Sequence, residues 1–393
     1  MYGFGFTSYT LIMQSKAIKT PQPPVQKMMW GNFLFFISTT IVGVFGSVFY
    51  LIYFGISLSE VLLFVFYVLA TIYSITVGYH RLFSHVSFKA EPIVRFLTLF
   101  FGAASFEQSA LIWCSQHRKH HRYVDTDLDP YNIKKGFFYA HFGWMAFWEH
   151  ADEFDNVLDL QKSRMLMSQH RHYTIWAVTS GILLPVLIGA LTGHALGAFV
   201  IAFCARVTFV YHITWCINSV AHTFGKATYD IDSTAKDNWF AALLTNGEGY
   251  HNYHHRFPGD YRNGVRWYDW DPSKWVINLL SRIGLASDLI RVSKFRIYAA
   301  RIQSEKIRLE RIALEKSSEP ERIRLQDLIH AQYERLKQTL HDWEVAAREY
   351  RAVAQGKIES QSEAGRRAAL NYLKTKRIFN RYFSQWIVAY QKI

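Results

Sequence analysis

Residues 247–260 read GEGYHNYHHRFPGD and place three histidines, His251, His254 and His255, within five positions. An α-helix turns by about 100° per residue, so positions i, i+3 and i+4 share a face and their ring nitrogens can converge on one point. Residues 117–121, HRKHH, repeat the arrangement with His117, His120 and His121. In a chain with 17 histidines among 393 residues, chance supplies about 0.03 copies of H-x-x-H-H. Two copies therefore form one feature, and convergent imidazoles are a way to bind a metal ion.

Outward from these triplets, four segments are apolar over enough length to cross about 30 Å of hydrocarbon as helices. They are Phe33–Phe54, Leu58–Tyr79, Ile175–Leu191 and Ala195–Ile217. They pair into two hairpins, because the links Gly55–Ser57 and Thr192–His194 are very short and hold no Lys or Arg. The positive-inside rule then puts the N-terminus, residues 80–174 and everything after Ile217 on the cytoplasmic side. A fifth apolar stretch, Val94–Phe106, is too short to span and reads as a re-entrant or interfacial helix, with buried soluble core as the alternative.

The fold class expected is an all-α integral membrane protein: four transmembrane helices in two hairpins, a helical cytosolic cap holding a di-metal site, and a C-terminal helical extension. The expected divisions are a cytosolic segment over 1–32, a membrane domain over 33–290 and a charged helical extension over 291–393. The extension holds 22 Lys and Arg against 12 Asp and Glu, which accounts for +10 of the net +13. The basicity thus belongs to a helical tail, and no nucleic-acid partner is expected. Within the tail, Ile329, Tyr333, Leu336, Leu340, Trp343, Ala347, Tyr350 and Ala354 form a heptad-like stripe, suited equally to intramolecular packing or to a homodimer. Pro320 and Gly356 divide the tail into about three helices. The basic, aromatic end KTKRIFNRYFSQWIVAYQKI reads as a docked helix or a membrane-surface helix. The three cysteines, Cys114, Cys204 and Cys216, lack C-x-x-C spacing and suggest ordinary packing. No basic segment followed by a short apolar stretch and a small-residue cleavage site opens the chain, so a cleaved signal peptide is not expected.

This topology brings both triplets to the same side as HRLFSH (His80 to His85) and NSVAH (Asn218 to His222). Nine imidazoles exceed the capacity of one ion, so two ions are implied. A structural zinc pair is the competing reading, but structural zinc takes four ligands, usually thiolate-rich, and no cysteine joins this set. Two histidine-held irons with an open position would instead activate O₂. His80 and His85, five apart, do not share a face of an ideal α-helix, which predicts unwinding after Arg81. Asn218 and His222 do share one, and the amide is placed to hold a water at the open position. Asp125, Asp127, Asp129 and Glu248 are candidates to fix the imidazole tautomers, with loop charge or capping the plainer reading of each. The other eight histidines (His141, His150, His170, His172, His194, His212, His330 and His341) read as surface or hydrogen-bonded core residues.

HRLFSH, HRKHH, NSVAH and GEGYHNYHH resemble the motifs of the membrane-bound fatty acyl desaturases of the stearoyl-CoA Δ9 type. The likeness extends through DTDLDPYNIKKGFFYAHFGW and WDPSKW and covers about residues 30–290. The resemblance implies a mushroom-shaped four-helix bundle with a di-iron centre held by His80, His85, His117, His120, His121, His222, His251, His254 and His255. It also implies a metal-bound water on Asn218. The implied reaction is O₂-dependent removal of two hydrogens from a saturated acyl-CoA, giving a cis double bond near carbon 9 and two waters.

In the family a bend in the acyl tunnel selects the bond, and Trp113 and Thr214 stand at the matching places. The third bend residue, a glutamine in the family, is here Glu107. The family's Arg-Asp pair before the second box is replaced by Ser115 and Gln116, leaving Lys134 and Lys135 as the cations for a CoA phosphate. Acyl carrier protein or a lipid ester are the alternative carriers. The tail lacks the motifs of a haem-binding cytochrome b5 domain or an iron–sulfur ferredoxin, so the electron donor is expected to be a separate ferredoxin or cytochrome b5-like protein, docked on the tail or the basic cap. The expected location is a bilayer with both termini and the site on the cytoplasmic side, the bacterial inner membrane or, in a eukaryote, the endoplasmic reticulum. A membrane di-iron hydroxylase is the alternative enzyme. A metal-binding scaffold or transporter is the non-enzyme alternative, for which Arg206 and His212 within the fourth span are the suggestive residues.

Overall fold

The computed structural model describes residues 22–150 and 153–390. The first 21 positions of the expected cytosolic segment, and the last three of the tail, lie outside the described residues. Four helices are long and apolar enough to cross a membrane: Trp30–Phe54, Leu58–Ser84, Tyr173–Leu191 and Ala195–Thr223. Their outer faces leave large apolar side chains such as Phe45, Ile52, Leu187 and Leu191 exposed, as suits helices in hydrocarbon. The protein is a multi-pass membrane protein.

The second and fourth spans run past the ends that hydropathy marks, to Ser84 and Thr223, so that His80 and His222 ride on the spans themselves. Hydropathy sees these ends as polar, but their polar groups are buried in the cap. The second span begins at a capping box, where Ser57 accepts from the Glu60 amide and Glu60 accepts from the Ser57 amide.

The expected unwinding after Arg81 does not occur. Residues Ser74–Ser84 continue the span as a wider π-helix, and the His85 amide bonds the His80 carbonyl at 3.0 Å. In a turn closed by i→i+5 bonds, residues five apart lie nearly above one another. The widened turn therefore brings His80 and His85 to one side without breaking the helix.

The short apolar stretch is a helix, Pro92–Ala103, laid against the second span. Close approach depends on Gly102, where a Cβ would come within 2.4 Å of the Tyr79 ring. The helix Ala110–Tyr123 comes next and carries the first histidine triplet, and the two-turn helix His251–Arg256 carries the second. The only strands among the described residues are two-residue clasps, Val25–Gln26 with Trp148–Glu149 and Lys89–Ala90 with Ala286–Ser287.

The tail is three helices, Lys294–Lys316, Glu319–Ala354 and Glu363–Tyr390. Four members of the heptad-like stripe, Ile329, Leu336, Leu340 and Trp343, are buried among Phe295, Phe379 and Trp386. These four members of the stripe thus pack within the tail, as the intramolecular alternative has it. The tail also reaches the cap: Ala300 packs with Tyr253 and Phe257, and Arg308 donates to the Ala227 carbonyl at 2.5 Å.

Candidate metal centre and adjoining cavity

The structure gathers the nine histidines into two groups, His80, His85, His117, His121 and His254 in one, and His120, His222, His251 and His255 in the other. Within each group the ligand-type atoms lie within 4.8 Å of one another. Each H-x-x-H-H triplet divides between the two: the i, i+4 pair His117 and His121 joins the first group while His120 joins the second, and the reverse holds for His251, His255 and His254. The groups abut, with the rings of His121 and His255 stacked at 4.3 Å.

The atoms that face inward are Nε2. His254 Nε2 lies 2.9 Å from Nε2 of both His80 and His121, and His85 Nε2 lies 2.9 Å from that of His117. In the second group His251 Nε2 is 3.1 Å from Nε2 of both His222 and His255, and His120 Nε2 is 3.2 Å from that of His255.

Three rings are fixed from behind. His80 Nδ1 faces Glu248 Oε2 at 2.9 Å, and His120 Nδ1 faces Asp129 Oδ1 at 2.7 Å. His222 Nδ1 is 2.7 Å from Thr234 Oγ1, which itself donates to Asp125 Oδ1 at 2.5 Å and so accepts from the imidazole. Each partner holds the proton on Nδ1 and leaves a lone pair on Nε2.

Lone pairs aimed at one another repel unless a cation lies among them. Separations of 2.9–3.2 Å are also what two imidazole nitrogens about 2.1 Å from a shared ion leave between neighbouring positions. Burial first, and the neighbouring histidines next, hold His85, His117, His121, His254 and His255 well below the ordinary imidazole value. Burial and then His120 bring His251 to about 3. Neutral imidazoles are the ligand form, so the residues fit two metal ions.

Behind His80 lies a buried charge network that spacing alone did not reveal. The Arg81 guanidinium is 1% exposed and donates to Glu248 Oε1 at 2.9 Å, to Asp271 Oδ1 at 3.0 Å and to the Tyr261 carbonyl at 2.8 Å. Burial by itself raises the Glu248 carboxyl, yet the charges and hydrogen bonds of His80 and Arg81 outweigh it and hold it at about 2. Asp271 also caps the helix Pro272–Arg282 by accepting from the Lys274 amide at 3.0 Å. Of the four acidic candidates, Asp127 is exposed and takes no part in this arrangement.

A narrow cavity adjoins the histidines. Trp113, Glu107, Thr214 and Asn218 all line it, together with Tyr131 and Trp215. Glu107 is 7% exposed and accepts from Thr214 Oγ1 at 3.0 Å and from Trp113 Nε1 at 3.3 Å. Lys134 and Lys135 do not line the cavity. Lys134 reaches the Asp125 carbonyl and Lys135 lies 4.7 Å over the Trp148 ring, so a role for either at a head group belongs to the outer surface. Several of the remaining histidines find ordinary partners, as with His150, 2.8 Å from the Trp144 carbonyl, or His141, between Ser219 and His212.

Burial pushes the Glu107 carboxyl up to about 7, against the lowering effect of its bonds from Thr214 and Trp113. A carboxyl whose folded value is raised stabilises the fold fully below its unfolded value of about 4.5, and that stability is lost as the pH rises through about 7. Glu107→Gln should therefore flatten the decline, a difference approaching about 3 kcal/mol by pH 8. Melting temperatures of both proteins in detergent from pH 5 to 8 check this. Parallel profiles would contradict it.

The model of the fatty acid desaturase family matches residues 58–275, a stretch that holds all nine histidines. The chain is 45% identical over 218 residues to a probable acyl-CoA desaturase of Schizosaccharomyces pombe, covering 55% of this chain and 46% of that one. It is 42% identical over 243 residues to acyl-CoA desaturase 1 of Saccharomyces cerevisiae, covering 60% and 47%. Against the delta(9)-fatty-acid desaturase fat-7 of Caenorhabditis elegans the identity is 32% over 294 residues, covering 73% and 86%. The chain thus spans about half the length of the two fungal relatives.

Proposed function

Given that the chain belongs to the fatty acid desaturase family, we propose that it is an O₂-dependent acyl-CoA desaturase that places a cis double bond near carbon 9 of a saturated chain. The observation that carries this reading is the pair of histidine groups at the wall of a largely apolar cavity. Its relatives named for acyl-CoA and for delta(9) favour that carrier and that position.

The two groups would hold two irons, His80, His85, His117, His121 and His254 around one and His120, His222, His251 and His255 around the other. Bound there, the irons supply the activation of O₂ needed to oxidise an unactivated methylene. Counted over a turnover, two hydrogens leave the acyl chain, and two external electrons and two protons complete the reduction of O₂ to two waters.

The chain's own residues supply orientation. Glu248, Asp129 and the Thr234–Asp125 pair keep the Nδ1 protons in place, so that Nε2 faces inward. Asn218, on the cavity wall, would hold a water beside His222. Every methylene of an alkyl chain is chemically alike, so selection rests on where the wall built by Glu107, Trp113 and Thr214 holds it.

The electrons would come from a separate acidic carrier drawn to the basic tail or cap, with the site facing the cytoplasm as the positive-inside rule indicates. Reduction that does not slow as ionic strength rises would argue against this docking.

Expression of the full chain in a desaturase-deficient host, with gas chromatography of fatty acid methyl esters, tests the assignment. A new monoene with its bond near carbon 9 is expected. Alcohols in its place would turn the reading to a hydroxylase. No new monoene despite iron and a competent reductase would refute it.

A further inference from the structure

Arg206, in the fourth span, is fully buried, and among the described residues its guanidinium finds carbonyls and not a carboxylate. Its Nη1 donates to the Ala104 carbonyl, its Nη2 to the Gly181 carbonyl at 3.1 Å, and its Nε to the Ala202 carbonyl at 3.2 Å. A cation buried within a membrane bundle without a counter-charge is costly, and such residues usually serve a function. The compensation here is particular. Ala104 is the C-terminal cap of the short helix Pro92–Ala103, so the guanidinium sits at the negative end of that helix and ties it to the third and fourth spans.

Immediately after Ala104 the chain enters the turn that carries Glu107. Both neighbours of Glu107 are held in the left-handed region, Phe106 at φ 61° and Gln108 at φ 73°, which side-chain-bearing residues adopt only at a cost. Three further bonds hold the turn. Tyr211 Oη donates to the Phe106 carbonyl at 2.9 Å, the Gln108 amide donates to Tyr173 Oη at 3.1 Å, and the Glu107 amide donates to Ser105 Oγ at 3.3 Å. Gly181 allows the approach, since a Cβ there would meet the Phe106 ring at 2.5 Å. The turn is thus fastened from spans three and four, and its product is one carboxyl delivered to Trp113 Nε1 and Thr214 Oγ1 at the cavity wall.

We propose that Arg206 is a positioning residue that, through the Ala104–Ser109 turn, fixes where the wall of Glu107, Trp113 and Thr214 meets the acyl chain, and so which carbon pair faces the histidine groups. The inference rests on the desaturase reading. Displacements of about 1 Å are large on the scale of reacting geometry, and neighbouring methylenes differ in nothing but place.

The test compares wild type, Arg206→Met, Arg206→Lys and Tyr211→Phe for double-bond position in the monoene, total yield and bound metal. Methionine keeps much of the side chain's length and removes every donor. Tyr211→Phe removes one bond from the same turn and leaves the buried cation in place. Both should raise the minor positional isomers about tenfold or more relative to wild type, with bound metal unchanged, and lysine should restore the wild-type position in part. Variants that yield less product of unchanged bond position would show Arg206 to be structural only and overturn the proposal. Should Arg206→Met fail to fold, Tyr211→Phe decides on the same readout. A wild-type chain that makes no monoene sinks both readings, whereas a wild-type monoene reproduced by the variants sinks this one alone.

Discussion

His254→Ala is expected to abolish product formation while leaving the spans folded. His254 is 1% exposed, and its Nε2 stands 2.9 Å from the Nε2 of His80 and of His121, at the junction of the second span and both triplet helices. Alanine removes one of five donors from its group and leaves a void that a metal ion cannot fill. Loss of an outer partner of a ligand costs about 10–100-fold in metal affinity or activity, so loss of the ligand itself should exceed about 100-fold. Monoene yield and metal content, measured on protein whose circular dichroism matches wild type, check the expectation. Activity within a few-fold of wild type would show that His254 merely packs.

Arg81→Met should have the largest effect on stability. Glu248 and Asp271 are both at most 2% exposed and share this one guanidinium. Removing it leaves two buried carboxylates without their shared counter-charge, and breaking a buried pair in this way costs about 3–5 kcal/mol. The variant should melt well below wild type in detergent and should lose metal with it, because Glu248 also fixes the tautomer of His80. A variant of nearly unchanged melting temperature would mean that water reaches the network.

The sequence made some of this legible and not the rest, for physical reasons. The triplets could be read because i, i+3, i+4 spacing is a property of local helix geometry, and the four spans because hydropathy is additive along a chain. The crosswise division of each triplet could not, since it depends on how Ala110–Tyr123 and His251–Arg256 face each other. His80 and His85 misled because ideal α-helical angles were applied to a segment that is π-helical; the five-residue spacing itself, matching an i→i+5 bond, was the available signal. Glu248, Asp129 and Asp125 could be named as candidates, but Asp127 could not be told from them by position. Thr234 carries no local mark, and Asp271, within WDPSKW, reads locally only as a helix cap. Their roles come from contacts with His222 and with Arg81, the latter 190 residues away in sequence. Lys134 and Lys135 could be read as cations for a head group, but not where they point, because charge can be read without direction.

The proposed acyl desaturation would require each histidine group to hold one iron. Elemental analysis of purified full-length protein, combined with X-ray absorption at the iron edge, should find two irons per polypeptide in shells of nitrogen and oxygen. One iron or none per chain, or zinc in its place, would contradict it.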